Sequence, residues 1–131
     1  MKDVVDRLKS FATELFEARN VRFIIEMPAE VARLQFDPEK LRALLLICKE
    51  ALINILRHAE CNSASLRFAI SEDALNVSIA DNGKGFDNDL GSSGNGLMNM
   101  KKRVESAGGT LMIFSEAGKG TAIDARIPLE T

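Results

Sequence analysis

Four polar residues that could line a ligand site fall on one side of a single predicted helix. They are Glu50, Asn54, Arg57 and His58, and at about 100° per residue they share one face over two turns. The rest of that helix, "PEKLRALLLICKEALINILRHA" (38–59), is apolar on most of its circumference, which predicts a buried helix. A polar stripe on such a helix indicates either the wall of a cavity or an ordinary solvated face.

A second candidate is the segment "DNGKGF" (81–86), which follows the alternating run "LNVSIA". Asn-Gly after such a run is typical of a β-hairpin turn, but the next residues, "FDNDLGSSGNG", have no strand character. Gly83 and Gly85 are better explained as positions where a flat ligand or another backbone approaches closely. Asp81, at the end of a buried strand, needs a partner, and an exocyclic amine of a nucleobase would be one.

Two further segments are rich in glycine. "GSSGNGLMNMKKRV" opens into a helix, where free backbone N–H groups favour an anion, although loops before helices often contain glycine for other reasons. It is neither a Walker motif nor a dinucleotide fingerprint. "GKGT" (118–121) is interpreted as a tight hairpin turn whose Thr121 could present its hydroxyl to a ligand.

The elements that must position these segments follow from hydrophobic periodicity. We predict a helix over 1–18, a strand over 21–27, an extended piece "RLQF", and the long helix with Asp37 as N-cap and Pro38 in its first turn. Two strands, "SLRFAI" and "ALNVSIA", precede the glycine-rich loop, and a helix and the strands "TLMIFSE" and "TAIDARIPL" follow it. Short loops between successive strands favour antiparallel pairing, so we predict an α+β sandwich of helices on one sheet.

Composition excludes some classes of function but does not identify one. The chain has 131 residues, 46% apolar and 27% charged, which suits one globular domain. A net charge of −2 shows no excess of basic residues of the kind that binds nucleic acid. No apolar run is long enough to span a membrane or is placed to act as a signal peptide. Cys48 and Cys61 lack metal-ligand spacing and favour a reducing compartment. We therefore expect a soluble, cytoplasmic domain that contacts neither nucleic acid nor membrane.

The four motifs together resemble one family. Glu50 with "NILRHA", then "DNGKGF", "GNGL" and "GKGT", is similar to the N box and three glycine boxes of the GHKL (Bergerat-fold) ATPases. The resemblance covers about residues 20–129 and is closest to the catalytic domain of nitrate/nitrite-sensor-like histidine kinases, through "GLMNMKKRVESAGGTLMIFSEAGKGT". It implies a two-layer α/β sandwich with a mixed, mostly antiparallel sheet covered by helices on one face.

The resemblance also implies a role for each matching residue in binding Mg-ATP. Asn54 would coordinate magnesium through its side-chain oxygen, and Glu50 would be the catalytic residue that orients or activates the attacking group. Asp81 would accept a hydrogen bond from the adenine amino group, with Thr121 close to the base through a water. The other implied ATP-binding residues are Arg57 and His58 near the phosphates, Gly83, Gly85 and Phe86 beside the adenine, and Gly94, Asn95, Gly96 and Leu97 at the hinge of a short phosphate-binding lid.

Departures from the family refine this expectation. The subgroup often has histidine where Asn95 stands and lysine where Arg57 stands, and neither change should abolish ATP binding. The phosphorylated histidine of a sensor kinase lies on a dimerisation helix, whereas the only histidine here, His58, belongs to the nucleotide site. We expect a piece of a longer kinase, with residues 1–18 at the junction with a dimerisation domain and 19–131 as the catalytic domain. Alone it should bind ATP without autophosphorylation, and a response regulator would act downstream.

Two alternatives remain at this stage. A stand-alone anti-sigma factor kinase of the same fold would phosphorylate a serine, and a nucleotide-binding module would transfer nothing. The tail of the sequence favours the sensor kinases over the first, and the intact Glu50 and Asn54 argue against the second.

Overall fold

The computed structural model describes residues 1–58, 60–84 and 96–129, which form four helices and five strands. In chain order the elements are α1 (Lys2–Glu17), β1 (Arg22–Glu26), α2 (Ala29–Ala32), α3 (Pro38–His58), β2 (Ser63–Ser71), β3 (Ala74–Asp81), α4 (Gly96–Ser106), β4 (Thr110–Glu116) and β5 (Gly120–Pro128).

The strands form one sheet in the order β1-β2-β3-β5-β4. β1 pairs with β2 in parallel, through a crossover that contains α3, and the other pairs are antiparallel. Because both edges of β3 are occupied, by β2 and by β5, the Asn-Gly pair that follows β3 does not turn into a hairpin partner. The mixed, mostly antiparallel sheet confirms the predicted fold class.

The hydrophobic core lies between the helices and one face of the sheet, which we call the inner face. Register places Leu66, Ile79 and Ile123 side by side there, and all three are buried. The helices cover them with buried side chains that include Leu8, Ile47, Leu52, Met100 and Val104. On the opposite face, Ile24, Met112 and Phe114 are exposed, so among the described residues the helices pack on one side.

The ends of two helices follow local rules that the sequence shows. The Lys40 N–H donates to Asp37 Oδ1 at 2.9 Å, which confirms Asp37 as the N-cap of α3. At the end of α4, Gly108 has φ +82°, and the Gly109 N–H donates to the Val104 carbonyl at 2.9 Å. This is a Schellman motif, in which glycine relieves the steric cost of the left-handed residue.

α1 shares the core with the sheet. Its residue Phe16 is fully buried and stacks on Phe23 of β1 with ring centroids 4.9 Å apart. α1 also packs against α3. Its role as a junction with a dimerisation domain stays a prediction.

Two local differences from the predicted elements have simple causes. The single-turn helix α2 precedes "RLQF" and was not predicted, because four residues are too few to show a helical period. β2 begins at Ser63, two residues before the predicted start, since the polar residues Ser63 and Ser65 alternate with the buried Ala64 and Leu66.

Candidate functional site

Three polar residues form a row at one end of the inner face. Ala64 pairs with Asp81, Asp81 with Thr121, and Thr121 with Ser115, so the row crosses four neighbouring strands. Paired residues in antiparallel strands project from the same face, and the next row inward is apolar. At the end of the sheet that meets solvent, the side chains of the inner face are therefore polar and not apolar, and they belong to Asp81, Thr121 and Ser115.

The Asp81 carboxylate is held by a backbone donor, since its Oδ1 accepts the Gly83 N–H at 2.8 Å. Burial raises the pKa of Asp81, and the hydrogen bond from Gly83 and the neighbouring backbone of Thr121 oppose the rise. A carboxylate offers about four lone-pair sites, so capacity to accept from a ligand amine remains.

The hydroxyl groups of the row form a pair. Ser115 Oγ lies 3.0 Å from Thr121 Oγ1, and either atom can donate. Ser115 was not predicted as a site residue. The signal that could have found it is the symmetry of the β4–β5 turn, because Ser115 and Thr121 each lie three residues from Gly118 and must pair once the turn closes about that residue.

The glycine turn between β4 and β5 contacts the Asp81 segment directly. A Cβ atom built on Gly120 would lie 2.2 Å from the Asp81 carbonyl oxygen, so only glycine permits this approach. Gly118 donates its N–H to the Lys84 carbonyl at 2.6 Å. "GKGT" is thus a hairpin turn, as predicted, and it also packs against the loop that follows β3.

A groove of about 450 Å³ follows this end of the sheet, along the ends of β3, β4 and β5. Its walls include Asp81, Ser115 and Thr121. The volume lies within the range of about 300–1,000 Å³ that is usual for small-molecule sites.

The polar stripe of α3 lies at the boundary between core and solvent. Glu50 and Asn54 are half-buried, while Arg57 is exposed. Ile47 and Ala51, beside them on the helix, are buried. α3 contacts β3, the strand that ends in Asp81, so the helix with the polar stripe and the strand with the carboxylate are packed together. Glu50 and Asn54 therefore lie at the rim of the core, and neither is among the residues that line the groove along β3, β4 and β5.

The remaining predicted residues divide into two groups. His58 is the last residue of α3, Gly83 is buried beside Asp81, and Gly96 and Leu97 begin α4, where backbone N–H groups lack helical acceptors. Gly85, Phe86, Gly94 and Asn95 lie outside the described residues.

The residues present suit a magnesium ion only together with a ligand. Within 1–58, 60–84 and 96–129 no group of three or more His, Cys, Asp or Glu side chains is arranged to hold a metal. Magnesium bound with a nucleotide needs few protein ligands, because phosphate oxygens and waters complete its octahedron. The amide oxygen of Asn54 fits that role by chemistry.

Comparison with known proteins gives a consistent result. The chain matches the family model described as "Histidine kinase-, DNA gyrase B-, and HSP90-like ATPase" over residues 39–131. It is 31% identical over 123 residues to the sensor histidine kinase LiaS of Bacillus subtilis, covering 93% of this chain and 34% of LiaS. It is 32% identical over 123 residues to the histidine-protein kinase/phosphatase DegS of the same organism, covering 91% of this chain and 32% of DegS.

Solved structures share the fold at lower identity. The histidine kinase domain of the blue-light activated kinase EL346 from Erythrobacter litoralis superposes with a TM-score of 0.80 at 22% identity, over 96% of this chain and 61% of that one. The Acinetobacter baumannii histidine kinase AdeS gives a TM-score of 0.80 at 15% identity, over 99% of this chain and 65% of that one. The chain spans about a third of the length of the two Bacillus relatives.

Proposed function

Because the chain belongs to the family of histidine kinase-, DNA gyrase B- and HSP90-like ATPases, we propose that it binds Mg-ATP as the catalytic domain of a two-component sensor kinase. The predicted resemblance to this family, and to sensor histidine kinases within it, is confirmed by the family model and by the similarity to LiaS and DegS. The residue roles that follow are proposals.

The observation that carries the proposal is the acceptor at the end of β3. Asp81 is half-buried, oriented by the Gly83 N–H, and contacted by a strand whose glycine leaves no side chain in the way. Such a carboxylate suits the exocyclic amine of adenine, and guanine carries a carbonyl oxygen at the equivalent position. The Thr121 hydroxyl, paired with Ser115, would complete the polar edge through a water.

The phosphate end of the nucleotide would lie along α3. Asn54 would hold the magnesium ion, which supplies charge neutralisation for the phosphates when bound. Glu50, one helical turn from Asn54, would orient or activate the attacking group. Arg57 and His58 would offset phosphate charge, and the backbone at the start of α4 would donate N–H groups. Phosphoryl transfer asks a protein chiefly for such positioning and charge stabilisation.

The phosphate acceptor would be a histidine on a separate dimerisation domain, from which a response regulator is phosphorylated in turn. We place this reaction in the cytoplasm, where ATP is available. Within the described part of the chain, no helix combines the length and apolar character needed to cross a bilayer.

A test of transfer separates the sensor kinase from its alternatives. The chain is incubated with Mg²⁺, γ-labelled ATP and a purified dimerisation domain that carries an acceptor histidine. Label that is stable to alkali and labile to acid identifies phosphohistidine and supports the proposal, and Glu50→Gln should abolish it without abolishing ATP binding. Acid-stable label on a serine of an antagonist protein would favour the anti-sigma factor kinase. ATP binding without transfer to any acceptor would favour a nucleotide-binding module.

A further inference from the structure

The side chain of Asn82, between Asp81 and Gly83, fastens the loop after β3 to the start of β2. Its Oδ1 accepts the backbone N–H groups of Asn62 at 3.1 Å and of Ser63 at 3.0 Å. Its Nδ2 donates to Asn62 Oδ1, which makes the contact between the two asparagines reciprocal. The Asn82 N–H also donates to the Ser63 carbonyl at 3.2 Å.

These bonds extend the sheet beyond its last residue pair. The β2–β3 ladder ends at Ala64 and Asp81, and the Asn82 amide takes up the backbone donors that the next rung would have used. The backbone carbonyl of Asn62 in turn accepts a hydrogen bond from the Arg22 N–H of β1 at 2.9 Å. Asn82 therefore ties Asp81 to the ends of β1 and β2.

The same segment is fixed on its other side by the β4–β5 turn. The Gly118 N–H donates to the Lys84 carbonyl at 2.6 Å, and Gly120 packs against the Asp81 carbonyl oxygen. Residues 81–84 are thus clamped between two connections. The path of that backbone decides whether the Gly83 N–H can reach Asp81 Oδ1, which is the contact that orients the carboxylate.

Asn62 is also close in sequence to the other end of the proposed site, since it lies four residues after His58 in the connection from α3 to β2. A second contact in this region joins Lys84 Nζ to Glu60 Oε1 at 3.8 Å. It is an exposed ion pair and therefore contributes little to the stability of the loop.

We propose that Asn82 and Asn62 form a positioning pair that aims Asp81 at the adenine and holds the adenine loop to the start of β2. Neither residue touches the nucleotide in this account. The inference rests on the proposed function, because it assigns the pair a role in reading the base.

The test compares ATP and GTP affinity in the whole chain with Mg²⁺ present, below the unfolding temperature of every variant. Asn82→Ala should weaken ATP binding about tenfold and reduce the preference for ATP over GTP, because it removes the hydrogen bonds that fix the loop. Asn82→Asp keeps an oxygen acceptor for the two N–H groups, and the Asn62 amide can rotate to donate to it. That variant should stay within about threefold of the unmodified chain.

Two further variants separate positioning from general stability. Asn62→Ala leaves the backbone bonds to Asn82 in place, should weaken ATP binding about twofold to threefold, and should add little to Asn82→Ala in the double variant. The matched control is Asn76→Ala in the preceding strand, β3, which removes bonds to Ser71 and Arg126 far from Asp81. It should lower thermal stability without changing the ATP-to-GTP ratio.

Equal ATP affinity and equal ATP-to-GTP ratio in Asn82→Ala and the unmodified chain would overturn the positioning role while leaving the proposed function intact. A shift in the ratio of the same size in Asn76→Ala would overturn it too. Failure of the unmodified chain to bind ATP would instead overturn the proposed function, and this inference with it.

Discussion

Asp81 and Thr121 face each other across the antiparallel β3–β5 pair, with both side chains at the open end of the helix-covered face of the sheet. The pairing brings a carboxylate to the edge of a hydrophobic core, and burial raises its pKa. Burying the charged carboxylate lowers the stability of the nucleotide-free protein, and the same position orients the carboxylate to accept a hydrogen bond from a ligand.

The first prediction concerns that cost. Because the folded-state pKa of Asp81 lies above its ordinary value of 3.8, the folded state binds its proton more tightly than the unfolded state. The resulting contribution to stability is present below 3.8 and is lost as the pH rises through the raised pKa. Asp81→Asn should therefore have a higher unfolding temperature than the unmodified domain at pH 7, in the absence of nucleotide, and the gap should narrow on acidification.

The control for this effect is Asp124→Asn, which replaces an exposed carboxylate on the outer side of β5. It should change the unfolding temperature little. A lower unfolding temperature for Asp81→Asn at pH 7 would mean that the hydrogen bond from the Gly83 N–H to the carboxylate outweighs the cost of burying the charge.

The second prediction concerns Asn54. If its side-chain oxygen is the protein ligand of magnesium, Asn54→Ala should bind ATP with the same affinity whether Mg²⁺ or EDTA is present. Calorimetric titration measures both affinities, and Asn76→Ala serves as the control that keeps its response to Mg²⁺. Tighter binding of ATP by Asn54→Ala on adding Mg²⁺ would remove Asn54 from the metal site.

The third prediction uses two glycines of one turn. Gly118 and Gly120 both have positive φ, at +82° and +89°, but only at Gly120 would a Cβ collide, with the Asp81 carbonyl oxygen. Gly118→Ala should cost about 1–2 kcal/mol of unfolding free energy from backbone conformation alone. Gly120→Ala should cost more and should also weaken ATP binding, because the clash displaces Asp81. Denaturant unfolding and ATP titration of the two variants give the comparison, and equal losses in both would rule out the close approach.

The fourth prediction concerns the two thiols. Cys48 is fully buried and its pKa is raised to about 12, so it should not react with iodoacetamide until the domain unfolds. Burial, followed by the negative charge of Asp81, raises the pKa of Cys61. Cys61 should react slowly at pH 7 and faster as the pH rises, because the thiolate is the nucleophile.

Asp81→Asn tests the electrostatic part of that shift, since it removes the charge and leaves the shape. It should speed alkylation of Cys61, as followed by mass spectrometry, and leave Cys48 unmodified. An unchanged alkylation rate in this variant would show that the charge of Asp81 does not raise the pKa of Cys61.

The sequence predicted the fold well where local rules act alone. Asp37 with Pro38 marked the start of α3, because capping depends on a few neighbouring residues. The alternation in "LNVSIA" agrees with the burial of Leu75, Val77 and Ile79 in β3. α2 was not predicted, because a single helical turn is too short to show a helical period.

The site was predicted less completely, because it depends on pairing between distant segments. The strand character missing after "DNGKGF" argued against a hairpin from the sequence, and the sheet order supplies the reason, since β2 and β5 occupy both edges of β3. Ser115, Asn62 and Asn82 could not be assigned, because their partners are fixed by strand register. Gly120 was seen as a turn residue, while its contact with Asp81 belongs to the tertiary structure.

The most direct test of the account is a calorimetric titration of the domain with ATP and with GTP in the presence of Mg²⁺. We expect saturable binding of ATP, much weaker binding of GTP, and a loss of about 1.5–3 kcal/mol in ATP binding free energy for Asp81→Asn, the range for a hydrogen bond to a charged group. Equal affinity for the two nucleotides, or an Asp81→Asn variant that binds ATP as tightly as the unmodified domain, would contradict the assignment of Asp81 as the adenine reader.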